Sequence, residues 1–349
     1  MSNQETAPQP LECESHARPE PPEARGRLLE PRDVPLGGTR AMTVRRTLPQ
    51  RAQSLIGAWC FLDHYGPDDV AQTGGMEVPG HPHTGLQTVS WLFTGEVDHL
   101  DSIGTRERVR PGQMNLMTAG SGIAHSEYST PETTVLHGAQ LWVALPERHR
   151  FTAPAFEHYT PAPIDVDGAR VLVFLGSLCG DTSPVVTFSR LLGAEVTLRP
   201  GQVLDLEVDA EFEHGVLVDT GEVSAAGIAA TPSQLVYQAP GHATLRLQAT
   251  GTGPARVLVL GGEPLGEQIL MWWNFVGRTQ EEITAFRDRW QLERSGDSRV
   301  VGAVESGSGS EAGSEAGAAR KRQFGAFPED WAFTLPAPEL PNVRLKLRG

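Results

Sequence analysis

The sequence predicts an all-β protein with two domains of the β-sandwich or barrel type and one short helix towards its C-terminal end. Its 349 residues include 38 glycines and 27 prolines, which favours many turns and short strands over long helices. At roughly 150 residues per domain, the length allows two domains plus tails. Short apolar or alternating runs, bounded by turn residues, fill two successive stretches of the chain.

The domain boundaries follow from changes in composition. Residues 1–25 are rich in Pro, Glu and Ala and nearly lack bulky apolar side chains, so we expect a disordered arm. Strand-like runs separated by hairpin turns then predict an N-terminal domain over residues 40–148, with folding beginning near Ala41 to Leu48. The same rhythm continues through residues 149–275 and predicts a second domain.

A weak internal repeat supports a duplicated domain. Thr94-Gly95-Glu96-Val97 in the first half recurs as Thr220-Gly221-Glu222-Val223 in the second half. Each copy follows an apolar strand-like run. A duplicated hairpin leaves this kind of match.

The C-terminal part begins with a predicted helix over residues 276–293. Thr279 and Glu282 have the spacing of a capping box, and three apolar residues fall on one helical face: Ile283, Phe286 and Trp290. Residues 300–322 are dominated by Gly, Ser, Glu and Ala, which is typical of a flexible linker. Residues 323–349 predict an extended tail, and the sequence leaves open whether the tail docks on its own chain.

Charge and cysteine content exclude several classes of function. The net charge of −14 opposes direct binding to nucleic acid or to anionic lipid. No leader-like segment and no run of about 18 apolar residues is present, so we expect neither export nor membrane insertion. The three scattered cysteines encode neither a disulfide framework nor a thiolate zinc site. These features predict a cytoplasmic protein whose partners are small molecules or other proteins.

Two short motifs carry the chemistry of a metal site. His81 and His83 are two residues apart, so on one strand their imidazoles point to the same face. His125 and Glu127 repeat this spacing about forty residues later. On neighbouring strands the two pairs would supply three nitrogens and one oxygen and leave two octahedral positions open. We expect one transition-metal ion, iron(II) first, with manganese, nickel, copper and zinc as alternatives.

Longer stretches around these residues resemble a known family. Gly75, His81-x-His83, Gln87 and Gly95 have the spacing of the first cupin motif. Four segments are similar to the pirin branch of the cupin superfamily: residues 81–85, 118–127, 136–143 and 273–278. The matches extend from about Gly57 to Trp290.

The resemblance implies a bicupin fold with the metal in the N-terminal barrel alone, held by His81, His83, His125 and Glu127. Gln87 departs from the glutamate that the cupin motif and many pirins carry. We place Gln87 on the strand of His81 and His83 and on the same inward face, near the metal without being a strong ligand. A neutral amide there removes a candidate base and counts against oxygenase activity.

Three further histidines of the N-terminal half are predicted to have structural roles rather than roles in catalysis or metal binding. His64 is expected in a hydrogen-bonded turn, His99 on a solvated strand, and His137 beside a buried backbone group. The second half offers His158, His214 and His242, with no H-x-H pair and no carboxylate two residues from any of these three. That half is predicted to be free of metal.

Two functions of different classes fit these observations. The first is a metal-dependent dioxygenase of the flavonol (quercetin) 2,3-dioxygenase type, as reported within the pirin family, with a chelating hydroxy-ketone at the open metal positions. The second is a non-catalytic regulatory protein, as some pirins act, whose metal occupancy or oxidation state alters a surface that binds a protein partner. An enzyme requires a pocket over the metal and a group that accepts the substrate's proton.

Overall fold

A computed structural model describes residues 26–36, 42–295 and 322–349. Each of its two domains combines a seven-stranded sheet with a four-stranded sheet, which confirms the predicted all-β, two-domain architecture. The arm expected at residues 1–25 lies outside the described residues. So does the linker expected at 300–322, apart from its last residue.

The N-terminal domain is formed mainly by the strands before residue 160. Its seven-stranded sheet has the order β12-β9-β6-β11-β4-β3-β2, and its four-stranded sheet has the order β5-β10-β7-β8. The one-turn helix α1 (Val70–Thr73) follows β4. The strands in chain order are β1 (Arg27–Leu29), β2 (Arg32–Leu36), β3 (Met42–Leu48), β4 (Trp59–Asp69), β5 (Glu77–His83), β6 (Leu86–Thr94), β7 (Val97–Asp101), β8 (Arg106–Val109), β9 (Met114–Thr118), β10 (Ile123–Ser129), β11 (Val135–Ala144) and β12 (Ala155–Tyr159).

The C-terminal domain repeats this layout. Its strands are β13 (Ile164–Val166), β14 (Ala169–Leu175), β15 (Ser177–Leu178), β16 (Asp181–Thr182), β17 (Leu191–Leu198), β18 (Val203–Glu207), β19 (Glu213–Thr220), β20 (Val223–Ala225), β21 (Ile228–Ala230), β22 (Leu235–Gln238), β23 (Thr244–Ala249) and β24 (Ala255–Gly262). The large sheet has the order β1-β22-β19-β24-β17-β14-β13, and the small sheet has the order β18-β23-β20-β21. Strands β15 and β16 pair only with each other.

The internal repeat marks equivalent turns of the two domains. Gly95 connects β6 to β7, and Gly221 connects β19 to β20; each turn leads from the large sheet to the small one. Both glycines have positive φ, 86° and 79°, a conformation that glycine adopts without steric penalty. The repeat is therefore structural rather than a chance match.

The fold begins earlier than the sequence predicted. Strand β1 pairs with β22 of the C-terminal domain, with Arg27 opposite Tyr237, and β2 pairs with β3. The predicted start near Ala41 is thus wrong. A three-residue strand is too short to give an alternating pattern, so its sheet partner, not its own sequence, defines it.

The two large sheets pack against each other and bury one continuous apolar cluster. Trp91 of β6 stacks on Phe174 of β14 with ring centroids 4.5 Å apart. Its indole N–H donates to the carboxylate of Glu195 at 2.9 Å. The outer face of the N-terminal large sheet is therefore the domain interface, and its inner face encloses the interior of the barrel.

After the second domain the chain returns to the first. The hairpin β25 (Leu270–Trp272) and β26 (Phe275–Gly277) leads into helix α2 (Gln280–Arg294). The Thr279 hydroxyl caps this helix by accepting from the Glu282 N–H, which confirms the predicted capping residue, although the helix starts four residues later than predicted.

The C-terminal tail docks on its own chain. The backbone N–H of Leu335 donates to the Gly80 carbonyl at 2.7 Å, and the Leu335 carbonyl accepts from the indole of Trp290 at 2.8 Å. Hairpin, helix and tail share one apolar cluster that includes Ala124 of β10. They therefore cover the outer face of the small N-terminal sheet. Within the described ranges, neither helix is long and apolar enough to cross a membrane.

Candidate metal centre

The two predicted motifs lie on adjacent antiparallel strands of the small N-terminal sheet. Strand β5 carries His81 and His83, and strand β10 carries His125 and Glu127, with His81 directly opposite His125 in the register. Alternation along each strand turns these side chains to the inner face. All four are at most 2% exposed.

The three imidazoles converge on one point. One ring nitrogen of each histidine lies within 4.8 Å of the others, and the Nε2 atoms of His83 and His125 are 3.1 Å apart. The buried Nε2 of His81 has no hydrogen-bond partner in the described chain. A bound metal ion would satisfy an orphaned ring nitrogen and two facing ones together, so the residues fit such an ion.

Each histidine is held through its other ring nitrogen. The Nδ1 of His81 lies 2.9 Å from the Pro79 carbonyl oxygen, and the Nδ1 of His83 lies 3.2 Å from the Asn274 carbonyl oxygen. A carbonyl only accepts, so both rings carry a proton on Nδ1 and a lone pair on Nε2. The Nδ1 of His125 instead lies 3.2 Å from the Nδ1 of His99.

Burial keeps these imidazoles neutral. It lowers the pKa of His81 to about 3 and lowers the pKa values of His83 and His125 well below the ordinary histidine value. Removing a charged ring from water is unfavourable, and the neighbouring imidazoles add repulsion for His83 and His125. At neutral pH a metal ion therefore displaces no proton from these ligands.

Glu127 is positioned by residues that sequence reasoning missed. The Ser90 hydroxyl lies 3.0 Å from Glu127 Oε1 and 2.9 Å from Gln140 Oε1. The single hydroxyl hydrogen lies between these two acceptors, and the charged carboxylate binds it more strongly than the amide oxygen does. Neither Ser90 nor Gln140 belongs to a recognisable ligand motif. Only the pairing of β6 with β11 places them opposite each other.

Gln87 does not lie where the sequence placed it. Strand β5 ends at His83 and Gln87 belongs to β6, so the assumed common strand is wrong. Gln87 and Ser90 are three residues apart on one strand and therefore point to opposite faces. The Gln87 amide donates to the Thr118 hydroxyl at 2.9 Å, on the face that packs against the C-terminal domain.

The barrel interior contains several unsatisfied donors. Four buried polar atoms that share the face of Ser90 have no hydrogen-bond partner within the described ranges: Tyr65 Oη, Asn115 Nδ2, Gln140 Nε2 and Trp142 Nε1. The Trp142 ring also packs edge-on against His83 at 5.2 Å. Buried donors of this kind are normally satisfied by water or by a ligand. The interior beside the histidines is therefore suited to a molecule rich in oxygen.

His64 and His137 form a second cluster with Asp219 of the C-terminal domain. Their Nε2 atoms lie 2.8 and 2.7 Å from Asp219 Oδ1, and Arg256 donates to Oδ2 at 2.6 Å. The interpretations of His64 as a turn residue and of His137 as a backbone partner are both wrong. These three atoms could bind a metal by spacing, but they already satisfy one another and Arg256 adds positive charge, so the cluster is an interdomain ion-pair network.

The remaining histidines divide between the two domains. His99 is 5% exposed, so its interpretation as a solvated residue is wrong; β7 places it opposite Glu127. His214 is also buried. Among the described residues no group of metal-binding side chains lies wholly within the C-terminal domain.

Two family models and several known proteins match the chain. The pirin model matches residues 40–143, and the model of the pirin C-terminal cupin domain matches residues 193–296. A Pseudomonas aeruginosa protein named "Putative quercetin 2,3-dioxygenase" is 42% identical over 82% of this chain and 90% of its own length. A pirin-like protein of Caulobacter vibrioides is 34% identical over 72% of this chain and 88% of its own length.

A solved structure shares the architecture. The crystal structure of quercetin 2,3-dioxygenase from Acinetobacter baumannii has a TM-score of 0.79 and 33% sequence identity to this chain. The match covers 92% of this chain and 97% of that one. The histidines and the glutamate of the candidate centre all lie within the part matched by the first family model.

Proposed function

This chain belongs to the pirin family, and from that premise we propose that it is a metal-dependent dioxygenase acting on a flavonol of the quercetin type. One observation carries the proposal. Three buried imidazoles of the N-terminal domain converge on one point, two of them with tautomers fixed by backbone carbonyls, and the Glu127 carboxylate lies beside them in a group with His125 and His99. Relatives named for quercetin oxidation support the choice of substrate.

The ion proposed for this point is one iron(II) per chain, held by His81, His83, His125 and Glu127. Nitrogen and carboxylate ligands suit iron(II) and equally manganese, nickel, copper or zinc. When bound, such an ion supplies Lewis acidity to a chelating hydroxy-ketone and redox chemistry with dioxygen.

The protein's own residues would bind and orient the flavonol. The unsatisfied donors of Asn115, Gln140 and Trp142 can pair with its hydroxyl and carbonyl oxygens. Because Gln87 is on the opposite face, the carboxylate available to accept the flavonol hydroxyl proton is that of Glu127. The hydrogen bond from Ser90 would keep that carboxylate in place.

The test is a turnover assay on protein loaded with iron(II) without air. Quercetin and air are then added, and flavonol loss is compared with dioxygen consumption. We expect equal amounts of both, and no reaction with an analogue that lacks the chelating hydroxyl. The controls are metal-free protein and His83→Ala. Turnover no faster than that of free iron(II) would refute the enzyme.

A second candidate is a metal-dependent regulatory protein that binds a protein partner. It is supported by the Trp331 indole of the C-terminal tail, which donates to the Ser126 hydroxyl at 2.9 Å. Ser126 lies between the proposed ligands His125 and Glu127. A change in metal occupancy could therefore reach the tail surface, and hydrogen exchange of residues 323–349 with and without metal would detect it.

Both candidates are proposed to act in the cytoplasm. The described cysteines, Cys60 and Cys179, are free thiols, as is usual in a reducing compartment. Cell fractionation with an antibody against the protein would test this.

A further inference from the structure

His125 is held differently from the other two histidines. Its Nδ1 contacts a side chain, the Nδ1 of His99 at 3.2 Å, and His99 Nε2 in turn contacts Asp101 Oδ2 at 3.2 Å. Strands β10 and β7 pair with His125 opposite Asp101 and with Glu127 opposite His99. The three side chains are therefore on one face, and each is at most 5% exposed.

The contacts indicate which atom donates in each hydrogen bond between His125, His99 and Asp101. Asp101 Oδ1 accepts from the backbone N–H groups of Ile103 and Thr105, and Asp101 Oδ2 faces His99 Nε2. An ionised carboxylate can only accept, so His99 carries its proton on Nε2. With that proton on Nε2, the His99 Nδ1 is the acceptor, which requires the His125 proton to lie on Nδ1 and leaves the His125 Nε2 lone pair free.

We infer that His99 and Asp101 are positioning residues that set the tautomer and ring orientation of His125 towards the metal. The inference rests on the metal-binding part of the proposed function and not on oxygenase activity. His99 lies within metal-binding distance of His125 and Glu127, but both of its ring nitrogens are engaged, so we assign it a role through His125 rather than as a ligand. A carboxylate behind a ligand imidazole also increases its basicity.

The hydrogen bonds from His125 to His99 and from His99 to Asp101 form a relay. The substitution Asp101→Asn tests the direction of this relay with little change in the shape of the side chain. Asp101 Oδ1 accepts from the backbone N–H groups of Ile103 and Thr105 at 3.0 and 2.9 Å. The amide oxygen of an asparagine must occupy that position, which leaves its NH₂ facing His99 Nε2. The relay then runs in reverse, and the His125 proton moves from Nδ1 to Nε2.

The experiment measures affinity for iron(II) and, separately, the protonated ring nitrogen of His125 by ¹⁵N NMR of metal-free protein. For Asp101→Asn we expect an affinity about 10–100-fold weaker and a shift of the His125 proton to Nε2. The matched control is Asp98→Asn on the same strand, whose carboxylate pairs at the surface with Arg108. It should leave both readouts unchanged.

A second pair of variants covers the case in which Asp101→Asn fails to fold. His99→Gln can still donate to Asp101 and accept from His125, whereas His99→Leu can do neither. We expect His99→Gln to bind iron(II) more tightly than His99→Leu. Wild-type protein that takes up no metal would refute the metal centre and the relay together. Wild-type uptake with equal affinity in Asp101→Asn, or equal affinities of the two His99 variants, would refute the relay alone.

Discussion

His83 Nδ1 lies 3.2 Å from the backbone carbonyl oxygen of Asn274, a residue 191 positions later in the chain. Asn274 lies in the hairpin between β25 and β26, after the whole C-terminal domain. The backbone N–H of Val276 also donates to the Thr84 carbonyl at 3.0 Å. The returning chain therefore fixes the ring orientation of one proposed ligand, and the candidate metal centre depends on residues from both ends of the fold.

His83→Ala should abolish metal binding and leave the protein folded. The pocket is built by the strands rather than by the ion, so the loss of one ligand leaves a small cavity. Wild-type protein should contain about one ion per chain after reconstitution, and the variant close to none, by elemental analysis. His242→Ala, in the other domain, is the control. Global unfolding of His83→Ala by circular dichroism, or two ions in the wild type, would contradict this account.

Ser90→Ala should weaken metal binding about 10–100-fold, the usual effect of losing a group that holds a ligand. Without the hydroxyl, Glu127 loses a donor that fixes its carboxylate. The measurement is a competition titration against a metal chelator. Ser224→Ala is a matched control, because Ser224 is on β20 of the C-terminal domain. Equal affinities of the two variants would show that Ser90 does not position Glu127.

The proposed ligands could be read from the sequence because each pair is local. Two residues two positions apart on a strand share a face wherever that strand lies. The groups that hold them could not be predicted. The Asn274 contact is made by a backbone carbonyl, so no residue type in the sequence indicates it. Ser90 approaches Glu127 only through the pairing of strands that are distant in the chain.

The position of Gln87 shows that the alternation of side chains between faces cannot be extended across a turn. Face alternation holds along one strand, but a turn with Gly85 at φ 70° separates β5 from β6. A side chain on Gly85 would collide with the Val276 carbonyl oxygen, 2.2 Å from the position of its Cβ. The turn carries the chain from the small sheet to the large one. Counting residues from His83 to Gln87 across it therefore gives the wrong face.

Gln87→Glu should destabilise the protein by about 3 kcal/mol, as expected for an uncompensated buried charge, without increasing flavonol oxidation. Gln87 is fully buried, and Thr118 is the hydrogen-bond partner of its amide. Urea unfolding gives the stability, with the exposed Gln268→Glu as control. An increase in turnover at unchanged stability would place Gln87 beside the reacting atoms after all.

Asp219→Asn should destabilise the domain interface by roughly 3–5 kcal/mol, the range for breaking a buried ion pair. Three donors converge on this carboxylate, from His64, His137 and Arg256. An amide must turn its NH₂ towards at least one of them. Asp205→Asn removes a carboxylate that is 50% exposed and should cost less than about 1 kcal/mol. Similar urea midpoints for the two variants would contradict the network's role.

His214→Leu should reduce the sensitivity of the fold to acid. Burial lowers the pKa of His214 to about 4, and neither ring nitrogen has a hydrogen-bond partner in the described part of the chain. The unfolded state, with a pKa near 6.5, binds more protons between pH 6.5 and pH 4. Stability is therefore lost as the pH falls through that window, by about 2 kcal/mol between pH 7 and pH 5 from this group alone.

The measurement is the free energy of unfolding of metal-free wild type and variant at pH 7 and pH 5, from urea titrations. Leucine has a similar volume, so packing beside Gly261 on the neighbouring strand should change little. The loss between the two pH values should be smaller in His214→Leu by about 2 kcal/mol. The control Thr244→Leu, at the exposed start of β23, removes no titratable group and should leave the loss unchanged. An equal loss in wild type and His214→Leu would mean that His214 is protonated in the folded protein at pH 5.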